Sequence, residues 1–138
     1  MNRATFQEIS RLRRREASVL LAAKQFPGAY YLIGYAVECA MKACIAKQVR
    51  RYDFPDKDLV NKAYTHNLEI LLSLSGLKPD LDNEMQNSKA LELNWGIVKD
   101  CSESSRYELV ITEKEARDMY SAITARRHGI LTWIRRRW

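Results

Sequence analysis

The chain has 138 residues, 46% hydrophobic and 29% charged, with five Gly and three Pro. That length suits a single domain, residues 1–138, with one buried core, and the composition argues for a globular, largely helical protein and against disorder. The net charge of +6 permits an anionic partner. The longest uncharged apolar run, residues 26–37, is too short to cross a bilayer, and the N-terminus lacks the apolar core of a secretory signal. No membrane association and a cytoplasmic location are therefore expected.

A first helix is predicted over 5–25, where Ile9, Leu12, Val19, Ala23 and Phe26 fall at helical spacing and form a packing seam. Glu16 lies on that seam, either at its rim or as a buried carboxylate that needs a partner. Pro27 and Gly28 break the pattern, and proline suits the opening turn of the next helix, so the first two helices should form an αα-hairpin.

The second helix, 27–50, is apolar on nearly every side except for one stripe, Tyr31, Tyr35, Glu38 and Lys42. Steps of four, three and four residues, at about 100° each, place these side chains within an arc of about 60°. Glu38 precedes Lys42 by one turn, the favourable order for a helical ion pair. The tyrosines read first as core residues with hydroxyls at the rim, and alternatively as a platform for stacking a base.

Residues 52–64 contain Pro55 and several Asp and Lys, which predicts a polar connection with a short turn near 58–62. A third helix begins near Thr65, carries Leu68, Leu71 and Leu72, and stops at Ser75 and Gly76. Residues 79–83 read as a turn. A fourth helix over 84–100 should bury Leu91, Trp95 and Val98 before the serine-rich segment 102–105. Thr112 and Glu115 have the spacing of a helix start. The fifth helix then presents Ala116, Met119, Tyr120, Ile123, Ile130, Leu131 and Ile134, interrupted by Gly129, where close approach of another backbone would compensate for the glycine. The reading is all-α, a five-helix up-and-down bundle.

Cys39, Cys44 and Cys101 form neither a CxxC pair nor a Cys/His ligand set, so buried thiols are expected and no metal or organic cofactor is indicated. Arg11, Arg13, Arg14 and Arg15 form one basic cluster, and Arg135, Arg136 and Arg137 another. Each reads as a solvated face. In a simple five-helix arrangement the two chain ends are at opposite ends of the bundle, so a continuous basic track would need dimerisation, and the tail with Trp133 and Trp138 reads as a frayed terminus, with a partner or nucleic-acid contact as the alternative.

Taken together, GAYYLIGYAVECAMKACIAK at 28–47, YTHNLEILL at 64–72 and SSRYE at 104–108 resemble the small bacterial HEPN-domain proteins. The resemblance implies an all-α bundle that usually forms a homodimer, is often encoded beside a minimal nucleotidyltransferase, and binds nucleotide or RNA. Many HEPN proteins are metal-independent ribonucleases carrying Arg, a spacer of four to six residues, then His. This chain departs from that motif, because the required positions before His66 and His128 hold no arginine, and those after Arg106 are Ile111, Thr112 and Glu113.

His66 sits at a helix start, where the helix dipole favours a neutral ring able to hydrogen-bond, act as a base or tie down the preceding loop. Arg106 could meet a phosphate bidentately or anchor its loop on helix carbonyls, with Tyr107 packing beside it. The resulting expectation is a nucleotide- or RNA-binding HEPN protein acting with a nucleotidyltransferase in a toxin–antitoxin or defence-type module. Its ligand-binding set would be Tyr31, Tyr35, Glu38, Lys42, His66, Arg106 and Tyr107. The alternatives are a metal-independent endoribonuclease toxin using His66 and Arg106, and a purely structural dimer whose polar stripe is an interface.

Overall fold

The computed structural model describes residues 2–49, 53–101 and 107–138. Its first two helices, α1 (Arg3–Ala22) and α2 (Phe26–Lys47), form the expected antiparallel hairpin. Asn2 caps α1 by accepting from the Thr5 amide, and Pro27 occupies the first turn of α2. Between the helices the chain reverses through Lys24, whose φ of 60° lies in the left-handed region.

Small residues set the register of this hairpin. Ser10 and Ala17 are fully buried, and the Ser10 hydroxyl donates to the Ala36 carbonyl at 2.7 Å. A Cβ on Gly28 would stand 3.2 Å from Leu20 Cδ1. The buried side of α1 is therefore Ser10, Ala17 and Leu21, and the seam expected at Leu12, Val19 and Ala23 is a correction: Leu12 is 41% and Val19 68% exposed. Close helix approach needs small residues, and these override hydrophobic spacing. Glu16 lies at the rim, with Arg13 Nη1 at 2.7 Å.

The rest of the chain wraps α2. In order come α3 (Lys57–Lys62), α4 (Leu68–Leu74), α5 (Lys78–Asn87), α6 (Lys89–Val98), α7 (Glu113–Thr124) and α8 (Ile130–Arg135). The described residues form helices and no strand, so the all-α class holds. The five-helix count does not, since eight helices are present there.

Three local causes account for the difference. Asp56 caps a short α3 where a mere turn was expected. The turn expected at 79–83 is helical, because Pro79 fits a first helical turn and Lys78 pairs with Asp82 at 3.0 Å. The helix expected at 84–100 is split at Ser88, whose extended backbone ends α5 while its hydroxyl caps α6. Likewise α7, capped by Thr112, ends before Ala125, and Gly129 opens α8. A Cβ on Gly129 would lie 2.4 Å from the Ala125 carbonyl oxygen, so the close approach expected at this glycine comes from the turn's own backbone.

The core sits around α2, with Ile33, Ala36, Val37, Ala40 and Met41 fully buried. Against them pack Leu68, Leu71, Leu91, Trp95, Val98, Met119, Ile123, Ile130, Leu131 and Ile134. Gly34 receives Cys101, whose Sγ would stand 2.3 Å from an added Cβ. All three cysteines are free and buried, as expected. Among the described residues no helix is long and apolar enough to cross a membrane.

Candidate functional site

The polar stripe of α2 occupies one face, as its spacing requires. Tyr31 and Tyr35 stack with ring centroids 6.1 Å apart and planes within 11°. One turn further on, Glu38 is buried, its side chain only 7% exposed.

A carboxylate in such a place needs partners, and Glu38 has two. Lys42 Nζ donates to its Oε1 at 2.9 Å from the next turn of the helix, and His66 Nδ1 meets the same oxygen at 2.9 Å from the loop before α4. Lys42 is itself largely buried, with 16% of its side chain exposed, whereas His66 is 38% exposed. The ion pair is thus mostly buried, not the exposed surface pair that α2 taken alone would allow. An ionised carboxylate only accepts, so His66 meets it as a donor through Nδ1.

His66 is placed by its own loop. The Thr65 hydroxyl accepts from the Asn67 amide, and the Asn67 side chain accepts from Ile70 to cap α4. His66 therefore stands one residue outside the cap, with its ring directed to α2.

The upper stripe is completed by α1. The Arg13 guanidinium lies 5.7 Å from the Tyr35 ring centroid, a cation–π arrangement, while also pairing with Glu16. Burial, then the Cys39 and Glu38 charges, raise the Tyr35 hydroxyl above its usual pKa despite Arg13. Burial likewise pushes the Cys39 thiol up to about 11, with Glu38 adding to the shift, so it is a neutral packing group.

Beside Lys42 a cleft of about 820 Å³ opens between the ends of α1 and α2 and the segment carrying α3. Its apolar lining includes Phe6, Ile45, Leu59 and Val60, and Arg3, Lys42 and Lys47 bring three cations to it against Asp53. Cavities of this size accept small organic ligands.

No known protein family, curated protein or solved structure matches this chain. The reading of the site therefore rests on its own geometry and chemistry.

The structure brings together Glu38, Lys42 and His66, and it stacks Tyr31 on Tyr35. Arg106 lies outside the described residues, so its meeting with His66 is not part of this geometry. Tyr107 is on the surface, 73% exposed. Arg13, Arg3 and Lys47 were missed as neighbours of the stripe. The antiparallel hairpin supplies the missing signal, because a register pairing Ser10 with Ala36 also brings Arg13 to Tyr35 and the start of α1 to the end of α2. Among the described residues no group of three His, Cys, Asp or Glu could hold a metal ion.

Proposed function

We propose that this is a nucleotide- or RNA-binding helical protein of the HEPN type, in which Lys42 and His66 present a phosphate-binding edge beside the cleft. The observation that carries this reading is the single Glu38 oxygen shared by Lys42 Nζ and His66 Nδ1, each at 2.9 Å. One carboxylate holds two nitrogen groups in fixed positions at a site whose neighbours add Arg3 and Lys47. The apolar cleft wall suits a base or sugar, and the cations suit its phosphate.

A homodimer acting with a nucleotidyltransferase, in a toxin–antitoxin or defence-type module, is part of the same proposal. Leu12 and Val19, exposed two helical turns apart on α1, supply an apolar strip for a second copy. The test is binding of a labelled adenine nucleotide and a short RNA at rising salt. Affinity should fall with salt, and binding unchanged in Lys42→Ala with Arg106→Ala would remove the site.

A second reading is favoured by the Glu38–His66 contact itself. A carboxylate that meets an imidazole at Nδ1 is the arrangement that positions a histidine as general base, which is what a metal-independent endoribonuclease requires. RNA cleavage in chelator that is abolished by His66→Ala would select this reading over simple binding.

A further inference from the structure

The two arginine clusters that lie far apart in sequence occupy one surface. The Trp138 ring has the Arg11 guanidinium 5.1 Å from its centroid and the Arg135 guanidinium 5.5 Å from it. Arg3 donates to the Trp138 carbonyl oxygen, and Lys47 donates to that of Arg137 at 3.2 Å. The C-terminal segment is therefore docked, and the frayed tail read from sequence is corrected. Trp133 is buried and donates to Glu84 at 2.9 Å, while Arg137 stacks on Trp133 and reaches Glu84 at 3.5 Å. The expected separation of the chain ends also fails. With eight helices among the described residues in place of five, α8 runs back toward the start of α1.

These cations are poorly compensated. Arg11 pairs with Glu8, but among the described residues Arg3, Arg14, Lys47 and Arg135 have no side-chain carboxylate within ion-pair range. The shared Trp138 ring holds Arg11 and Arg135 together, and burial with repulsion from Arg14 and Arg11 lowers the Arg135 pKa from the usual guanidinium value. Folding that concentrates like charge without neutralising it leaves a surface that gains from an added polyanion.

On α1, Arg3, Arg11 and Arg14 fall within an arc of about 80°, and Arg3 and Arg14 are about 16 Å apart along the axis. We propose that Arg3, Arg11, Arg14, Lys47, Arg135 and Trp138 form a continuous track that binds the backbone of a single-stranded nucleic acid, leading into the cleft beside Lys42. At about 3.4 Å per phosphate of a stacked strand, the α1 portion spans about five phosphates. Guanidinium forks match phosphate oxygens in pairs, and the guanidinium and indole planes give bases something to stack on. An anionic membrane would need an apolar group to insert, and the ring here is already flanked by guanidinium groups. The proposal deepens the reading of the cleft: it assigns a strand, not a mononucleotide, as the ligand.

The test is fluorescence anisotropy with a labelled oligouridylate of about twelve nucleotides, run beside labelled uridine monophosphate from about 50 to about 200 mM salt. Arg14→Glu with Arg135→Glu should weaken strand binding at least about tenfold, and the log–log salt slope should shrink by about 0.7 for each phosphate that is no longer neutralised. Monophosphate binding should be unchanged. Arg126→Glu with Arg127→Glu makes the same charge change at exposed positions in the turn before α8 and should alter strand binding by less than about threefold. Arg14→Gln with Arg135→Gln, its folding checked by circular dichroism, should give an intermediate loss. Equal losses in the two Glu pairs would overturn the track, as would no strand binding by the wild-type protein. Displacement of the strand by polyglutamate or phosphatidylserine vesicles at equal charge would also overturn it. Lys42→Ala tests the cleft separately: loss of monophosphate binding alone supports the cleft, while wild-type protein that binds strand but not monophosphate removes the cleft reading and leaves the track.

Discussion

Glu38 and His66, 28 residues apart in sequence, meet at 2.9 Å between the middle of α2 and the loop before α4. Since Lys42 meets the same oxygen, removing the carboxylate would leave a largely buried ammonium without its counter-charge. Glu38→Ala should cost about 3–5 kcal/mol in urea unfolding. Lys42→Met should cost about 1–3 kcal/mol, because His66 still satisfies Glu38. A Glu38→Ala cost below that of Lys42→Met would mean that the carboxylate is not the hub of the cluster.

Gly34 on α2 packs directly against Cys101. An alanine methyl at 34 would overlap Cys101 Sγ, so Gly34→Ala should destabilise by about 1–3 kcal/mol despite its better helix propensity. Adding Cys101→Ala should recover part of that loss. A double-mutant cycle measured by thermal unfolding gives the coupling directly, and strictly additive losses would contradict the contact.

Lys24 holds a left-handed φ of 60° at the α1–α2 reversal. Lys24→Gly should raise stability by about 0.5–1 kcal/mol, as glycine removes the Cβ strain while its extra freedom in the unfolded chain offsets part of the gain. A lower midpoint of thermal unfolding would show that the lysine side chain contributes there.

Cys39 and Cys44 are both raised by burial from 9.0 to about 11. Between those values the unfolded chain has lost thiol protons that the folded protein keeps, so stability is intact below about pH 9 and falls as pH rises toward 11. Each thiol accounts for about 1.4 kcal/mol per pH unit at most. Unfolding free energies for wild type and Cys39→Ala with Cys44→Ala should therefore converge as pH rises through this window.

Leu12 and Val19 face outward on α1. Leu12→Lys with Val19→Lys should convert a dimer to monomer in sedimentation experiments while shifting the unfolding free energy of the chain by no more than about 0.5 kcal/mol per site. A wild-type monomer, or a dimer in both proteins, would exclude this face as the contact.

Much of the helical order was legible because it is local. The α2 stripe follows from spacing, the start of α7 from Thr112, and the buried residues of α6, α7 and α8 from apolar periodicity. Errors arose where one residue serves two elements. Ser88 ends one helix and caps the next, and Pro79 and its polar neighbours suit a turn and a helix start equally well. The α1 seam was misread because the buried side is made of Ser10 and Ala17, which carry little hydrophobic signal but allow backbones to approach.

The candidate site divides in the same way. Sequence alone determined the all-helical class, the shared face of Tyr31, Tyr35, Glu38 and Lys42, and the pairing of the last two, because helical geometry relates residues three and four apart without reference to the rest of the chain. Tertiary structure alone decided that His66 reaches Glu38, that Arg13 covers Tyr35, and that Trp138 brings Arg11 and Arg135 together. Those contacts depend on hairpin register and on the direction in which α8 returns. Both are set by packing around α2, and that packing has no signature in any short stretch of sequence.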